Sequence, residues 1–172
     1  SVWKTAATAA VAARCLARPD AHAVALVGTG SYAFEQLQFL AAAVEVRSVA
    51  CYSRARPALE AFCARAGDAL RLPVRAASSV RDAVAQADIV TTITTSPVPV
   101  LEGAWLPEGV HCNVMGQHAP AAREVDTEAV RDAHVVVAAI EQALQEKGEL
   151  LIPLAEGAIA PQHIVGELGG VL

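Results

Sequence analysis

The sequence predicts a doubly wound α/β fold, in which helices cover both faces of a mostly parallel sheet. Short apolar runs alternate with helix-like segments along the chain, and this alternation indicates parallel crossover units. The runs are continuously apolar, which is typical of strands buried on both faces. Hydrophobic residues make up 54% and aromatic residues 4% of the chain, so small apolar side chains dominate. Three close-packed layers, α/β/α, are expected.

Six strands are predicted in chain order. Each is a short, mainly apolar run bounded by turn residues or charges. The six runs are residues 23–27, 46–52, 72–76, 88–94, 110–115 and 134–138. A ligand of such a sheet is expected at the carboxyl ends of the strands, where the strand order reverses.

Six helices are predicted from alanine-rich composition and from stop signals. They cover residues 4–18, 32–43, 56–66, 79–86, 126–131 and 140–147. Pro19 and Asp20 end the first helix, Gly67 is expected to end the third, and Gly148 to end the last. The sequence has no repeat, low-complexity linker or long charge run. Residues 1–172 are therefore predicted to form a single domain.

The composition argues against several classes of partner. A net charge of −5 gives no attraction for nucleic acid or for an anionic membrane surface. No apolar run approaches the roughly 20 residues that a spanning helix needs, and no signal segment opens the chain. The four cysteines are scattered, which favours free thiols over a metal site. A cytoplasmic protein that binds no metal, nucleic acid or membrane is expected.

A glycine-rich turn joins the first strand to the second helix. Its sequence is Gly28-Thr29-Gly30-Ser31-Tyr32-Ala33, a G-x-G-x-x-A pattern. Gly28 allows the tight turn, Gly30 lets the backbone approach a pyrophosphate, and Ala33 lets the helix pack closely. Free amides at the helix start then face the phosphates. Strand and helix flank the turn as a Rossmann dinucleotide site requires, although a plain strand-to-helix turn is the alternative.

The end of the second strand indicates which dinucleotide is held. An NAD enzyme usually has an acidic residue there, but this chain reads Ser53-Arg54-Ala55-Arg56. A carboxylate would repel a 2′-phosphate, whereas Ser53 and Arg54 could bond it. NADP(H) is therefore favoured over NAD(H). The alternative is that Arg54 and Arg56 are solvated residues that open a helix.

Two more strand ends carry polar residues. Thr92 and Thr94 lie where the fourth strand meets a cofactor, and their hydroxyls are candidates for ribose or nicotinamide contacts. Ordinary β-branched strand residues are an equal alternative there. Asn113, Met115 and Gly116 end the fifth strand, at the predicted level of the nicotinamide.

Several segments resemble, in order and spacing, the ornithine cyclodeaminase and mu-crystallin family. They are Lys4-Thr5-Ala6-Ala7, similar to the family's R-T-A-A, then Gly28-Thr29-Gly30, residues 87–92, residues 109–116, Arg123-Glu124-Val125-Asp126 and residues 164–168. Ser53-Arg54 resembles the Asn-Arg of the NADPH-binding mu-crystallin branch. The resemblance implies an NAD(P)(H)-dependent oxidoreductase that transfers hydride at the C–N bond of an imine or amino acid.

The same resemblance implies that this chain is a cofactor domain taken from a larger protein. Family members have a second domain, built from flanking chain ends, that carries most of the substrate pocket and the main dimer contacts. The full-length protein is thus expected to be a homodimer. The alternatives are a lyase that releases ammonia from ornithine with bound NAD, and a non-catalytic cofactor-binding remnant.

Two candidate catalytic positions depart from the family pattern. Lys4 stands where the family has an arginine that holds the substrate carboxylate, and lysine keeps the charge but lacks the bidentate fork. His118 stands where true ornithine cyclodeaminases have a catalytic Asp. A histidine can act as acid or base near neutral pH, but it does not reproduce a carboxylate that steers ornithine's distal amine. A reductase or dehydrogenase therefore fits better than a cyclodeaminase.

Overall fold

The computed structural model describes residues 2–171. The helices are α1 (Val2–Leu16), α2 (Ala33–Ala43), α3 (Arg56–Leu70), α4 (Val80–Val84), α5 (Thr127–Arg131), α6 (Ile140–Glu146) and α7 (Gly148–Ala155). The strands are β1 (Ala23–Val27), β2 (Ser48–Tyr52), β3 (Val74–Ala76), β4 (Ile89–Thr92), β5 (His111–Val114), β6 (Val135–Val137) and β7 (Ile164–Glu167). The chain divides into two compact units, Ser1–Thr94 with Pro107–Met115, and Thr95–Leu106 with Gly116–Leu172.

The first unit is built on a five-stranded parallel sheet in the order β3-β2-β1-β4-β5. From β1 the chain runs through α2, β2 and α3 to β3, and α4 then leads it to β4 on the other side of β1. Since such crossovers are right-handed, α2 and α3 lie on one face and α4 on the other. The predicted doubly wound, three-layer arrangement is confirmed, and the strand order reverses between β1 and β4.

The packing of this unit follows from its small apolar residues. Leu26 of β1 and Cys51 of β2 belong to the same buried cluster as Leu37 of α2 and Phe62 of α3. Every buried residue of α1 is an alanine, which lets this helix pack closely against α2. Interiors of this kind are close-packed, and they hold the strand ends in fixed positions.

One carboxylate ties several elements together at the amino-terminal edge of this sheet. Asp88 accepts the backbone N–H groups of His22 at 3.0 Å and Ala23 at 2.9 Å, and the Arg18 guanidinium lies 2.6 Å from it. Arg18 also donates to the carbonyl of Gly109 at 3.0 Å. Burial acts to raise the pKa of Asp88, but the two backbone donors and Arg18 outweigh it and lower that pKa.

The second unit holds a separate two-stranded sheet in which β6 pairs with β7. The strand predicted at 134–138 is therefore present, but it does not join the five-stranded sheet. The sequence prediction also ended its helices at Gly148 and missed α7 and β7. Gly148 instead begins α7, and a glycine is needed at this position because a Cβ there would collide with the Ala122 carbonyl oxygen. Pro153 lies inside α7, a position that propensity disfavours.

The predicted end of the third helix at Gly67 is wrong. Helix α3 continues to Leu70 and ends at Arg71, which adopts the left-handed conformation with φ of 55°. Gly67 lies where the chain returns past the helix, so that a Cβ there would be 3.3 Å from the Leu72 carbonyl oxygen. Within residues 2–171, no helix combines the length and the apolar character that crossing a membrane requires.

Candidate dinucleotide site

The carboxyl ends of four neighbouring strands lie in one row. Strand pairing aligns Val27 with Tyr52 and with Thr92, and Thr92 with Val114. The segments that follow β1, β2, β4 and β5 therefore begin at one edge of the sheet, on both sides of the reversal in strand order. The predicted site residues of the first unit at these strand ends are Gly28, Thr29, Gly30, Ser31, Ala33, Ser53, Arg54, Thr92, Thr94, Asn113 and Met115.

The two glycines of the turn have different surroundings. Gly28 has a φ of 104°, its N–H donates to the Tyr52 carbonyl at 2.9 Å, and a Cβ would collide with the Ile93 carbonyl. Gly28 thus serves the turn itself. Gly30 is exposed, and a Cβ built on it would meet no atom within 4 Å. Gly30 therefore leaves open space beside the backbone, as a bound phosphate requires.

Helix α2 begins directly after this open space. Ala33 is fully buried, which brings the helix close to the sheet, and its N–H donates to the Gly30 carbonyl at 3.1 Å. Among the residues that the structure describes, none accepts a hydrogen bond from the N–H of Gly30 or Ser31. Unpaired amide hydrogens at a helix start, together with the helix dipole, favour an anion there.

A hydroxyl pair joins the loops after β1 and β2. Thr29 Oγ1 donates to Ser53 Oγ at 2.9 Å, so the two predicted contact residues are held side by side. Arg54 is exposed and has no hydrogen bond or ion pair within residues 2–171. Arg56 differs, because it binds Glu60 at 2.6 Å and the Ala77 carbonyl at 3.1 Å. Of the two arginines, Arg54 is the one whose guanidinium can still bind an added phosphate.

The ends of β4 and β5 are joined through the backbone. The N–H of Met115 donates to the carbonyl of Thr92 at 2.9 Å, and the Thr92 side chain is buried. Asn113 is buried as well, and its Oδ1 lies 3.0 Å from His111 Nε2. The Asn113 Nδ2 atom is buried without a partner in the described chain. A buried amide that lacks a partner is costly, and a carbonyl of a bound ligand would satisfy it.

These residues fit a dinucleotide. The turn offers open space and unpaired amide hydrogens for phosphates, the β2 end offers hydroxyls and a free guanidinium for a ribose phosphate, and β5 offers an unpartnered amide. Hydroxyls, an arginine fork and backbone amides are the groups that dinucleotide sites use.

The remaining predicted residues lie elsewhere. Lys4 is exposed near the start of α1 in the first unit. Gly116 and His118 belong to the second unit, where the Gly116 N–H donates to the buried carboxylate of Glu124 at 2.6 Å. His118 is exposed, and its Nδ1 lies 2.9 Å from Lys147 Nζ. The sequence reasoning missed Lys147, since no spacing signal links residues 29 positions apart.

Comparison with known proteins gives a consistent result. The sequence model that matches residues 1–172 describes the ornithine cyclodeaminase/mu-crystallin family. Mouse ketimine reductase mu-crystallin is 33% identical over 98% of this chain and 50% of that protein. Delta(1)-pyrroline-2-carboxylate reductase of Bacillus cereus is 32% identical over 98% of this chain and 52% of that protein. The chain thus spans about half the length of the curated relatives it matches.

Solved structures agree with the sequence relatives. Thermococcus litoralis Delta(1)-pyrroline-2-carboxylate reductase, in complex with NADH and L-proline, superposes with a TM-score of 0.93 at 33% identity. That match covers 96% of this chain and 51% of the other. The iminosuccinate reductase of Paracoccus denitrificans, in complex with NAD+, gives a TM-score of 0.90 at 25% identity, over 99% of this chain and 53% of the other.

Proposed function

The chain belongs to the ornithine cyclodeaminase/mu-crystallin family, and from this premise we propose that it is the cofactor-binding part of an NAD(P)H-dependent imine reductase. The observation that carries the proposal is the Gly28–Ala33 turn, with open space at Gly30 and unpaired amide hydrogens at the start of α2. A bound nicotinamide supplies the hydride for reduction of a C=N bond. The relatives named as ketimine and pyrroline-2-carboxylate reductases support this choice of substrate class.

The chain's own residues bind and orient the reactants. In this proposal Thr29 and Ser31 bind the pyrophosphate, and Asn113 Nδ2 donates to a carbonyl of the nicotinamide. Thr92, Thr94 and Met115 complete the site on the first unit, and Gly116 is proposed as a further contact of the cofactor. Lys4 binds the substrate carboxylate as a point charge, and His118 donates the proton that the imine nitrogen needs. The full-length protein is proposed to be a homodimer.

We further propose that NADPH is preferred over NADH. Support comes from Ser53 and the unpaired guanidinium of Arg54 at the end of β2, and from the lack of an acidic residue in that segment. An arginine fork binds a phosphate more strongly than a neutral donor does. Relatives crystallised with NADH and NAD+ establish only that this fold accepts the unphosphorylated dinucleotide in those proteins.

Calorimetric titration of the chain with NADPH and NADH tests the cofactor proposal. We expect Arg54→Ala to weaken NADPH binding by about ten-fold or more, the loss of a charge-assisted bond, and to leave NADH binding unchanged. Arg56→Ala is the matched control, because Arg56 already binds Glu60 and Ala77. A chain that binds neither dinucleotide would contradict the whole proposal, and a clear preference for NADH would contradict the role of Arg54.

Turnover is tested by mixing the full-length protein that contains this chain with NADPH and Delta(1)-pyrroline-2-carboxylate. Net loss of NADPH absorbance with formation of proline is the expected result. With NAD+ in place of NADPH, ornithine that yields ammonia and proline without net formation of NADH would indicate the lyase instead. Tight NADPH binding without any turnover would indicate a cofactor-binding module.

A further inference from the structure

An unexpected pair of basic side chains lies in the second unit. Lys147 Nζ is 2.9 Å from His118 Nδ1 and donates to the carbonyl of Gln117 at 2.8 Å. An ammonium has only donors, so the ring nitrogen that faces it must accept. The proton of the neutral ring then lies on Nε2. His118 is exposed, and no described residue bonds Nε2, so this N–H is available to an incoming ligand.

The loop that carries His118 is held in place at several points. The N–H of Gly116 donates to the fully buried carboxylate of Glu124 at 2.6 Å, and the side-chain amide of Gln117 donates to the Ser96 carbonyl at 2.8 Å. Glu149 accepts the N–H of Glu124 at 3.1 Å.

Lys147 reaches the loop from a fixed backbone position. It lies between α6 and α7 and is followed at once by Gly148, whose Cα packs against the carbonyls of Ala119 and Ala122. The backbone on each side of the contact between Lys147 and His118 is therefore held by hydrogen bonds and packing of its own.

We propose that Lys147 and His118 form a proton relay, in which Lys147 fixes the Nε2–H form of the ring and replaces the proton that the ring gives to the substrate nitrogen. This inference rests on the proposed reductase function. Lys147 is a positioning and proton-supplying residue, and His118 is the group that touches the substrate.

The relay balances without any further reactant. The Nε2–H bond of His118 breaks as an N–H bond forms at the imine nitrogen, while an Nζ–H bond of Lys147 breaks as Nδ1 gains that proton. The ring is neutral before and after, the lysine becomes a neutral amine, and the substrate carries the positive charge. Because His118 is exposed, water can then return a proton to Nε2 while Nδ1 gives its proton back to Nζ, which restores the starting forms of both side chains.

The surroundings of Lys147 suit a proton donor. Burial lowers the pKa of Lys147 from its ordinary value, against the opposing effect of Glu149, Glu146 and Glu124. A lysine with a lowered pKa releases its proton more readily, and the three carboxylates oppose that lowering because they favour the charged form. The titratable groups that act on Nζ are these three carboxylates, through their charge, and the His118 ring, whose Nδ1 lies 2.9 Å away.

Nuclear magnetic resonance of the chain with 15N-labelled histidine rings tests the first half of the relay, with His118→Gln used to assign the signals. In the wild type, the two ring nitrogen shifts of His118 should lie at the extremes expected of a single tautomer. In Lys147→Met they should move towards each other, because the ring then samples both tautomers. Lys147→Arg, which keeps a donor, should resemble the wild type. Averaged shifts in the wild type would overturn the proposal.

Single-turnover reduction of Delta(1)-pyrroline-2-carboxylate by NADPH, measured in the full-length protein, tests the second half. Lys147→Met and Lys147→Arg should both be slower by about 10²-fold, since an arginine does not release a proton, and NADPH affinity should be unchanged. Added alkylamines should restore part of the rate to Lys147→Ala, in the order of their acidity. Glu141→Gln, an exposed change on α6, is the control.

The two readouts separate the possible failures. Wild-type rates in Lys147→Arg would overturn the relay. A full-length wild-type protein that binds NADPH but turns over no imine would overturn the reductase function and the relay with it, whatever the ring shifts show.

Discussion

At the scale of single residues, the same change to alanine at the two glycines of the phosphate turn should affect different properties. It should lower stability at Gly28 and dinucleotide affinity at Gly30. Gly28→Ala places a Cβ against the Ile93 carbonyl at a φ of 104°, so both strain and collision oppose the fold. We expect a loss of about 1–3 kcal/mol in the free energy of unfolding, measured by urea denaturation followed by circular dichroism.

Gly30→Ala is the matched change two residues later. Its Cβ meets no atom within 4 Å, so the free energy of unfolding should stay within about 0.5 kcal/mol of the wild type. Dinucleotide affinity should nevertheless fall, because the added methyl group occupies the space that a phosphate needs. If Gly30→Ala bound NADPH as tightly as the wild type, the phosphate would have to lie elsewhere.

The residue scale also shows what a sequence can and cannot predict. Gly28, Gly30 and Ser53 were predictable, because strand–turn–helix order determines where a dinucleotide lies. That Arg56 is bound to Glu60 and Ala77, whereas Arg54 is free, depends on side-chain geometry that the sequence does not contain. Lys147 was beyond prediction for the same reason, since its contact with His118 depends on how α6, α7 and the loop pack.

At the scale of secondary-structure elements, the end of α3 is a position where a glycine should not lower the free energy of unfolding, although glycine inside a helix usually does. Arg71 ends the helix with a φ of 55°, where a side chain is strained and glycine is not. Arg71→Gly should therefore keep or raise the free energy of unfolding, by up to about 1 kcal/mol. Ala64→Gly, an exposed change inside the same helix, is the control and should lower it by about 1 kcal/mol. A clear loss in Arg71→Gly would contradict this account of the helix end.

The carboxylate that joins α1, β1 and β4 supports a second prediction at this scale. Asp88→Ala leaves the N–H groups of His22 and Ala23 and the Arg18 guanidinium without their acceptor. We expect a loss of about 2 kcal/mol in the free energy of unfolding. Asp20 is a direct control, because it also contacts Arg18, at 3.2 Å, but its side chain is 80% exposed. Asp20→Ala should cost less than about 0.5 kcal/mol, and equal losses in the two variants would contradict the assignment.

Helices and strands were largely predictable where the local preference of the residues agreed with their packing in the fold. Strand β1 has the predicted bounds, because its apolar run is bounded by a glycine turn. Helix α7 was missed because Gly148 and Pro153 both act against a helix in isolation. Packing against the loop at Ala122 overrides that local preference, since only glycine fits there.

At the scale of the whole molecule, the order of the five-stranded sheet follows from general rules. Right-handed crossovers and burial on both faces leave few ways to arrange five parallel strands, and the observed order is one of them. The pairing of β6 with β7 does not follow from those rules, because a short apolar run does not show which strand it will pair with.

The stability of the whole fold should fall in two stages as the solution is acidified. Burial lowers the pKa of His111 from its ordinary value of 6.5, against the opposing bond to Asn113. Below pH 6.5 the unfolded chain therefore binds protons that the folded chain does not, and the free energy of unfolding falls until the lower folded pKa is passed. The pKa of Asp82 is lowered from 3.8 to about 2 by Arg75 and Ser78, so its stabilisation is present above pH 3.8 and is lost towards pH 2.

Urea denaturation at a series of pH values between about 8 and 2 separates these stages, because one begins below pH 6.5 and the other below pH 3.8. His111→Gln keeps a donor for Asn113 but cannot titrate, so it should remove the decline below pH 6.5 and leave the one below pH 3.8. Asp82→Asn should leave the upper stage intact and reduce the lower one, to which Asp88 also contributes because its pKa is lowered as well. His134→Gln changes an exposed histidine and should leave both stages intact. If the upper stage persisted in His111→Gln, another group would have to be charging in the core, and His111 would not be the residue that the fold keeps neutral.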